Sequence, residues 1–544
     1  MFILEAIKIK KYYGDKLIIA FDELCIQSGE KIGLVGQNGA GKTTLLDILA
    51  GEIASDEGVI KRYCDIAYIK QFSDEVITVD GKLLKEFNVQ DKVNCNKVSG
   101  GEHTRLKIAQ ELSKDKVLLF ADEPTANLDR KGIEALKKKL IQVETLLLIS
   151  HDRDLLDELC TRIIEIKDGK LSFYEGNFTS YQNKKKEEIK REWFEYNQFI
   201  DVKDRLEEAR RERQSKSKAM KKAPQRMGNS EARLHKGKTK EKKKKTDKAA
   251  NIIKTRLEKL EVKSKPIELP GVKFDFSLTD PPGNRIIISC DDLSFCYGSK
   301  RIFNSASFKV YNGMKVAIIG NNGAGKTTLL NLISSRKDNI YIVPKAVIGY
   351  FYQGFENLDY NKTVLENVME DSIQTETAIR TILARLLIAG EGVHKNIKVL
   401  SGGERIKVSF AKLFVSKANV LLLDEPTNYL DMAAIEALEN IIADYEGTVL
   451  FVTHDSAFVN KTADRLFILQ NGQINEFIGN MKELEESQQA SQEYNHKKTQ
   501  EDMLRMRLAE IIAKMSLPYC DKETLEAEYY KVLEQLKSIS KPAN

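Results

Sequence analysis

The feature that most restricts this chain is that it is written twice. Gly36, Gln37, Asn38, Gly39, Ala40, Gly41, Lys42, Thr43 and Thr44 recur as Gly320, Asn321, Asn322, Gly323, Ala324, Gly325, Lys326, Thr327 and Thr328, an offset of 284. Tyr13-Gly14 recurs as Tyr297-Gly298 at the same offset, and Gln71 recurs as Gln353, 282 residues on. Ser99, Gly100, Gly101 and Glu102 return as Ser401, Gly402, Gly403 and Glu404, and Asp122-Glu123 returns as Asp424-Glu425, both at 302. His151-Asp152 returns as His454-Asp455 at 303. Six landmarks in one order require two copies of one unit. The growth of the offset from 282 to 302 places about 20 extra residues in the second copy, between Gln353 and Ser401.

Each copy reads as an α/β domain. KIGLVG (31–36) and KVAIIG (315–320) are short apolar strands that run into a Gly-rich turn, and TTLLDILAG and TTLLNLISS continue as helices. VLLFADEP and VLLLDEP are apolar runs ending in acids, as parallel strands covered on both faces require. TLLLISHD and TVLFVTHD supply a further strand. The stretches from Gln71 to Ser99 and from Gln353 to Ser401 break this rhythm. They are assigned to a helical subdomain, truncated in the first copy, with 377–390 as one of its helices.

A strand followed by GxxxxGK[ST] and a helix is specific for phosphate binding. The glycines let backbone N–H groups turn inward, and the helix start adds positive potential. Lys42 and Lys326 would reach the β- and γ-phosphates. Thr43 and Thr327 offer hydroxyls to Mg²⁺, and Asp122 and Asp424 would hold that ion through water. Glu123 and Glu425 are placed to orient or activate the attacking water. Gln71 and Gln353 suit a sensor touching both metal and water, and His151 and His454 a contact to the γ-phosphate. Tyr13 and Tyr297 are candidates to stack on adenine.

The full set resembles the ATP-binding cassette (ABC) ATPases, in which Ser-Gly-Gly-Glu is the signature loop. That resemblance implies ATP hydrolysis at two composite sites, with the signature of one cassette closing over the ATP of the other. Lys42, Asp122 and Glu123 would face Ser401 to Glu404, and Lys326, Asp424 and Glu425 would face Ser99 to Glu102. One departure is DEPTANLD (122–129), where the second copy has DEPTNYLD (424–431), with Ala126 standing for Asn428.

Between the copies, residues 184–265 hold 29 Lys and Arg against 14 Asp and Glu, a surplus of 15 in a chain of net charge +6. Such a surplus seeks a polyanion. Ile189, Trp193, Tyr196 and Ile200, then Phe199, Val202, Leu206 and Ala209, follow helix-face spacing, as do Ala249, Ile253, Leu257 and Leu260 on the return. The reading is an antiparallel helical hairpin with an irregular basic tip at 213–245, where Pro224 and Gly228 break the helix. Lys216, Lys218, Lys221, Lys222, Arg226, Arg233, Lys236, Lys238 and Lys240 are the candidate contacts to RNA phosphates. Met220, Met227 and Leu234 are candidates to meet bases or a bound small molecule. Spacings at Leu504, Leu508, Ile511 and Met515 and at Leu525, Tyr529, Val532 and Leu536 suggest a second, C-terminal hairpin.

No run of eighteen apolar residues exists, so no helix spans a bilayer. The start, MFILEAIKIKKYYG, lacks the apolar length and flanks of a signal peptide. Seven scattered cysteines without CxxC spacing read as reduced cytoplasmic thiols. Two cassettes, no membrane span and a basic connector resemble the ABC-F branch. The segment KAPQRMGNSEARLHK (222–236), the short first helical subdomain and the C-terminal extension are similar to its antibiotic-resistance subgroup of Vga and Lsa type. The expected layout is ABC domain 1 at 1–183, hairpin linker at 184–265, ABC domain 2 at 266–481 and helical extension at 482–544. The resemblance implies a cytoplasmic monomer using ATP and Mg²⁺. Its partner would be the 70S ribosome, through rRNA and tRNA, with no membrane and no DNA. On this reading cassette closure drives the linker toward the peptidyl-transferase centre and displaces lincosamide, pleuromutilin or streptogramin A drugs. A housekeeping factor of the same branch and a transporter ATPase subunit stay open as alternatives.

Overall fold

The computed structural model describes residues 1–70, 81–87, 89, 100–126, 128–219, 229–263, 265, 276–337, 339–351, 357–515 and 528–536. Two six-stranded sheets form its centre. Across the first run Ile66–Ile69, Leu118–Asp122, Thr145–Ile149, Lys31–Gly36, Arg162–Lys167 and Lys170–Glu175. The first five are parallel and the last is antiparallel. Ile348–Phe351, Val420–Asp424, Thr448–Val452, Lys315–Gly320, Arg465–Gln470 and Gln473–Ile478 repeat that order and polarity in the second. The central runs Leu118–Asp122 and Thr145–Ile149 are buried at every position, because helices or a second sheet cover both faces. On one face a three-stranded antiparallel sheet, with Phe2–Tyr13 or Ile286–Tyr297 at its middle, sandwiches the helix Lys42–Ala50 or Lys326–Ser334. Because the core strands are parallel, Gly36, Asp122 and the residues after Ile149 emerge at one edge of the sheet, and so do their repeats. That edge of carboxyl ends is where open α/β sheets bind ligands.

The extra residues of the second copy form the helices Val364–Glu370 and Glu376–Arg385 and two short 3₁₀ turns. The helix expected over 377–390 stops at Arg385, where Leu387 turns left-handed at φ 65°. Asn367, fully buried, ties this subdomain together by donating to the carbonyls of Asp359 and Thr363 and accepting from the Asp359 N–H. In the first copy the described part of the matching stretch holds one helix, Gly81–Glu86.

The connector is a hairpin of an outgoing helix, Phe178–Ala219, and a return helix, Asn229–Glu258, packed on each other. The outgoing helix has 42 residues, so at 1.5 Å per residue it is about 63 Å long. The irregular tip expected at 213–245 is corrected: helix persists to Ala219 and resumes at Asn229. Lys, Arg and Glu are good helix formers, so a basic run does not end a helix by itself. Lys216 and Lys218 therefore lie on the outgoing helix, and Arg233, Leu234, Lys236, Lys238 and Lys240 on the return one. The expected seam holds at Ile253, which is buried; Ala249 is half-buried while its neighbour Ala250 is buried, and Ile189 and Val202 face solvent. Ile189 lies one turn nearer the root than Trp193, whose ring meets Lys265 Nζ at 5.7 Å where the return chain leaves the hairpin.

A last helix, Met481–Met515, roots in the second unit through buried Met481 and Leu484. Residues 528–536 are helical, with Ile511 and Val532 buried and Arg507 paired to Glu528 at 2.8 Å. Leu525 lies outside the described residues. Among the described residues no helix is long and apolar enough to cross a membrane, and Cys25, Cys64, Cys160, Cys290 and Cys296 are free thiols.

Candidate functional site

Each Gly-rich turn wraps its own lysine. Lys42 Nζ donates to the carbonyls of Gly36 at 2.7 Å and Gln37 at 3.1 Å. Lys326 Nζ donates to those of Gly320 at 3.0 Å and Asn321 at 3.3 Å. Burial pulls both ammonium groups below the usual lysine range. Gly41 and Gly325 start their helices at φ 99° and 103°, and a Cβ there would stand 2.9 Å from Ile18 and 2.5 Å from Ile302. Only glycine fits that combination of left-handed backbone and close approach. Gly39, Ala40, Gly323 and Ala324 complete the turns, while Thr44 and Thr328 lie in the helices behind them.

Thr43 Oγ1 donates to Asp122 at 2.7 Å, and Thr327 Oγ1 to Asp424 at 3.2 Å. Hydroxyl and carboxylate thus meet beside the lysine in both copies. Burial pushes Asp122 up to about 6 and raises Asp424 as well. A carboxylate raised by desolvation, next to a hydroxyl and a phosphate loop, is a donor set that fits a hard divalent cation.

The next residues, Glu123 and Glu425, are left-handed at φ 48° and 49°. Non-glycine residues take that conformation at a cost of about 1–3 kcal/mol, and it concentrates at functional sites. Here it turns the carboxylates toward the histidine loop: Glu123 lies 3.3 Å from His151 Nε2, and Glu425 lies 3.5 Å from His454 Nε2. Burial pushes Glu425 up to about 8, and burial and then Lys326 pull His454 down to about 4. In the first copy His151 Nδ1 is buried without a hydrogen-bond partner among the described residues, and buried Glu123 Oε1 has the His151 Nε2 contact but no well-formed hydrogen bond there. Polar atoms left unsatisfied beside a phosphate loop fit a site that a substrate or its attacking water completes.

The two copies face each other across these loops. The Asn38 backbone N–H donates to Asp431 at 3.2 Å, and its side chain donates to the Tyr429 carbonyl at 3.0 Å. A Cβ on Gly403 would stand 3.3 Å from the Asn38 amide, so the Ser401–Gly402–Gly403–Glu404 loop borders the first Gly-rich turn. Ser401 and Glu404 cap that loop's helix reciprocally: Ser401 N donates to Glu404 at 2.8 Å and Glu404 N to Ser401 Oγ at 3.3 Å. On the other side the Asn322 backbone lies near enough to Asp129 to help hold its carboxyl below the usual range, and Lys131 shares a cavity with Asn321, Asn322 and Gly323. Gly100, Gly101 and Glu102 open the helix Gly100–Ser113. Tyr13 and Tyr297 are exposed at 52% and 57%, at the hairpin ends of the antiparallel sheets. Gln71, Gln353, Ser99, Met220, Lys221, Lys222, Arg226 and Met227 lie outside the described residues.

A family model described as "ABC transporter" matches residues 22–126 and 303–428. The erythromycin resistance ATP-binding protein MsrA of Staphylococcus epidermidis is 34% identical over 84% of this chain and 95% of its own. The ribosome protection protein VmlR of Bacillus subtilis is 32% identical over 85% of each. ABC transporter F family member 5 of Arabidopsis thaliana is 30% identical over 87% of this chain and 75% of its own. The chain is an ABC-F ATPase. A solved structure described as RNase-L Inhibitor shares the fold, with a TM-score of 0.60 over 89% of the ABC-F chain and 92% of its own at 19% identity. This ATPase therefore binds and hydrolyses ATP with two ABC cassettes in tandem.

Sequence reasoning missed the residues that join the cassettes. Asp129 and Asp431 stand 302 apart, as Asp122 and Asp424 do, so the repeat itself carried the signal. Each caps the helix after it, Asp129 accepting from Gly132 N at 3.0 Å and Asp431 from Ala434 N at 2.8 Å. The next residues reach across to the far cassette. Arg130 meets Met481 Sδ at 3.5 Å and pairs with Glu485, while Met432 packs against the first cassette's core cluster, which includes Tyr174 and Phe178. Ala126 and Asn428 make the same turn, donating to the Glu123 and Glu425 carbonyls at 3.2 Å each, and nothing in the structure explains the difference between them.

Proposed function

We propose that this ABC-F ATPase binds the 70S ribosome in its ATP-closed form and protects it from antibiotics at the peptidyl-transferase centre. The observation that carries the reading is the likeness over most of both chains to proteins named for erythromycin resistance and for ribosome protection. The basic helical hairpin supports it. A 42-residue helix with a cationic end is long enough to enter a deep ribonucleoprotein cleft and hold RNA phosphates. In this reading the chain is a cytoplasmic monomer whose parts are cassette 1–183, linker 184–265, cassette 266–481 and extension 482–544.

At each site the Gly-rich turn and its lysine hold the β- and γ-phosphates. Thr43, Gln71 and Asp122, or Thr327, Gln353 and Asp424, would hold Mg²⁺, which neutralises charge on those phosphates when bound. Glu123 and Glu425 take the proton of the attacking water. His151 and His454 steady those carboxylates and reach toward the γ-phosphate, and Tyr13 and Tyr297 stack on adenine. The signature loops, Ser99 to Glu102 and Ser401 to Glu404, contact the γ-phosphate across the interface. Closure reaches the linker through Met432 against the core that roots the outgoing helix, and reaches the C-terminal helix through Arg130 and Glu485. Hydrolysis removes the γ-phosphate, the cassettes part and the protein leaves.

The test is co-sedimentation of a Glu123→Gln, Glu425→Gln chain with 70S particles and ATP, which should trap the closed form. No co-sedimentation sinks the ribosome reading. Susceptibility of cells to lincosamides, pleuromutilins, streptogramin A and erythromycin, with and without the protein, then tests protection. Binding with no change in susceptibility identifies a housekeeping factor, and recovery with a membrane partner identifies a transporter subunit.

A further inference from the structure

The cassettes are not held alike around their two sites. The helix Met432–Asp444 and its cap touch the first cassette at several points. At its start Asp431 accepts from Asn38, and two turns later Glu439 meets Arg153. Arg153 directly follows His151 and Asp152. Its Nη1 lies 3.0 Å from one Glu439 oxygen and donates to the other at 3.3 Å. Glu439 is fully buried and takes a second cation, Lys461, at 2.9 Å. Arg153 also opens the helix Arg153–Leu159, which packs on Ser456–Thr462 of the second cassette. One buried carboxylate is thus neutralised by a cation from each cassette.

The repeat shows what stands at the mirror position. Offsets of 302 and 303 match Glu439 with Lys137, Lys461 with Glu158 and Arg153 with Ser456. Lys137 pairs with Glu158, the same intracassette pair with its charges exchanged. Ser456 brings no charge to it. A cross-cassette cation–carboxylate bridge therefore flanks the Lys42 site, and its counterpart at the Lys326 site is built without the arginine.

We infer that Arg153 and Glu439 are positioning residues that keep the Lys42 site closed longer than the Lys326 site, so that the cassettes part in a fixed order. A desolvated charge pair at an interface acts chiefly on the rate of separation, and burial shields it from salt. Parting at the first site must separate a fully buried glutamate from one of its two cations. Parting at the second breaks the half-exposed Arg130–Glu485 pair, which solvent screens. The inference rests on the ATP-site roles proposed above and is independent of the ribosome reading.

The test uses the full chain with Glu123→Gln and Glu425→Gln, loaded with ATP and Mg²⁺. One fluorophore pair at positions 131 and 471 spans the second site, and another at 168 and 433 spans the first. After a chase that removes free ATP, the 131/471 pair should separate at least about tenfold faster than the 168/433 pair. Arg153→Ser, which copies position 456, should bring the two rates together, and Glu439→Gln should do the same. Arg153→Lys should keep the order. Equal rates in the parent, or an unchanged ratio in both Arg153→Ser and Glu439→Gln with their thermal midpoints retained, would overturn the inference. A parent that retains no ATP would instead refute the site roles.

Discussion

Asp431 does two jobs with two oxygens, and substitution can separate them. Oδ1 caps the helix Met432–Asp444 by accepting from Ala434 N at 2.8 Å. Oδ2 accepts from the Asn38 N–H of the other cassette at 3.2 Å, with Lys407 at 3.9 Å. Asp431→Ala removes both. Loss of the cap costs about 1 kcal/mol of folding stability. Loss of a charge-assisted bond costs about 1.5–3 kcal/mol, and that part falls on closure alone because the bond exists only while the cassettes touch. Asp431→Asn keeps a carbonyl oxygen for the cap but turns an NH₂ toward the Asn38 N–H, donor against donor. Its thermal midpoint should stay near that of the parent, while closure weakens roughly 10- to 150-fold. Steady-state ATP turnover at limiting ATP, measured beside thermal unfolding, reads the two effects separately. If Asp431→Asn turns over ATP at the parent rate, the cross-cassette bond contributes nothing and the composite-site argument fails at its best-resolved contact.

Gly325→Ala forces a Cβ to within 2.5 Å of Ile302 at φ 103°, so ATP binding at the second site should vanish and the melting temperature fall, whereas Gly402→Ala, which meets nothing within 4 Å, should melt like the parent. Glu425 carries a pKa raised to about 8 by burial, so the nucleotide-free fold holds a proton there that the unfolded chain releases near pH 4–5. Between those values the folded state binds more protons, so this group's contribution to stability falls as pH rises; Glu425→Gln should melt with a flatter pH dependence from pH 5 to 8, and an unchanged slope refutes the assignment. If the linker grips RNA phosphates, the affinity of the trapped protein for 70S particles should fall steeply with salt, by about 0.9 in log–log slope for each phosphate neutralised, and a salt-independent affinity excludes that role.

What was legible in the sequence follows from periodicity and from chemistry with strict geometric demands. The phosphate turns were readable because only Gly, Lys and Thr at those spacings can wrap an anion at a helix start, and the structure puts Lys42 and Lys326 where the repeat placed them. The strands were readable because residues 118–121 and 420–423 are unbroken apolar runs that end in Asp122 and Asp424. The connector was legible in its hairpin but not in its ends. Pro224 and Gly228 predict a loosened stretch of some thirty residues, yet Lys- and Glu-rich flanks hold helix on both sides of 220–228. Ile189 fits a seam by spacing alone. Whether a partner stands opposite depends on where the return helix stops, which no local pattern records.

The cassette interface was illegible for a different reason. Arg153, Glu439 and Lys461 look like ordinary surface charges on amphipathic helices, and in one cassette alone that is the correct reading. Their meaning arises only when a second, nearly identical surface covers them. A duplicated chain offers its own control for such residues. Where both copies keep a residue, as with Asp129 and Asp431, the shared geometry of two sites accounts for it. Where the copies exchange charges, as Lys137–Glu158 does with Glu439–Lys461, the internal pair is preserved while its outward sign is reversed. A second buried carboxylate at position 137 would need a further cation from across the interface, and Ser456 supplies none. The exchanged pair Lys137–Glu158 needs none, while buried Glu439 takes Arg153 from the other cassette. The asymmetry is therefore a physical consequence of closing a repeat upon itself, and the two ATP sites inherit it.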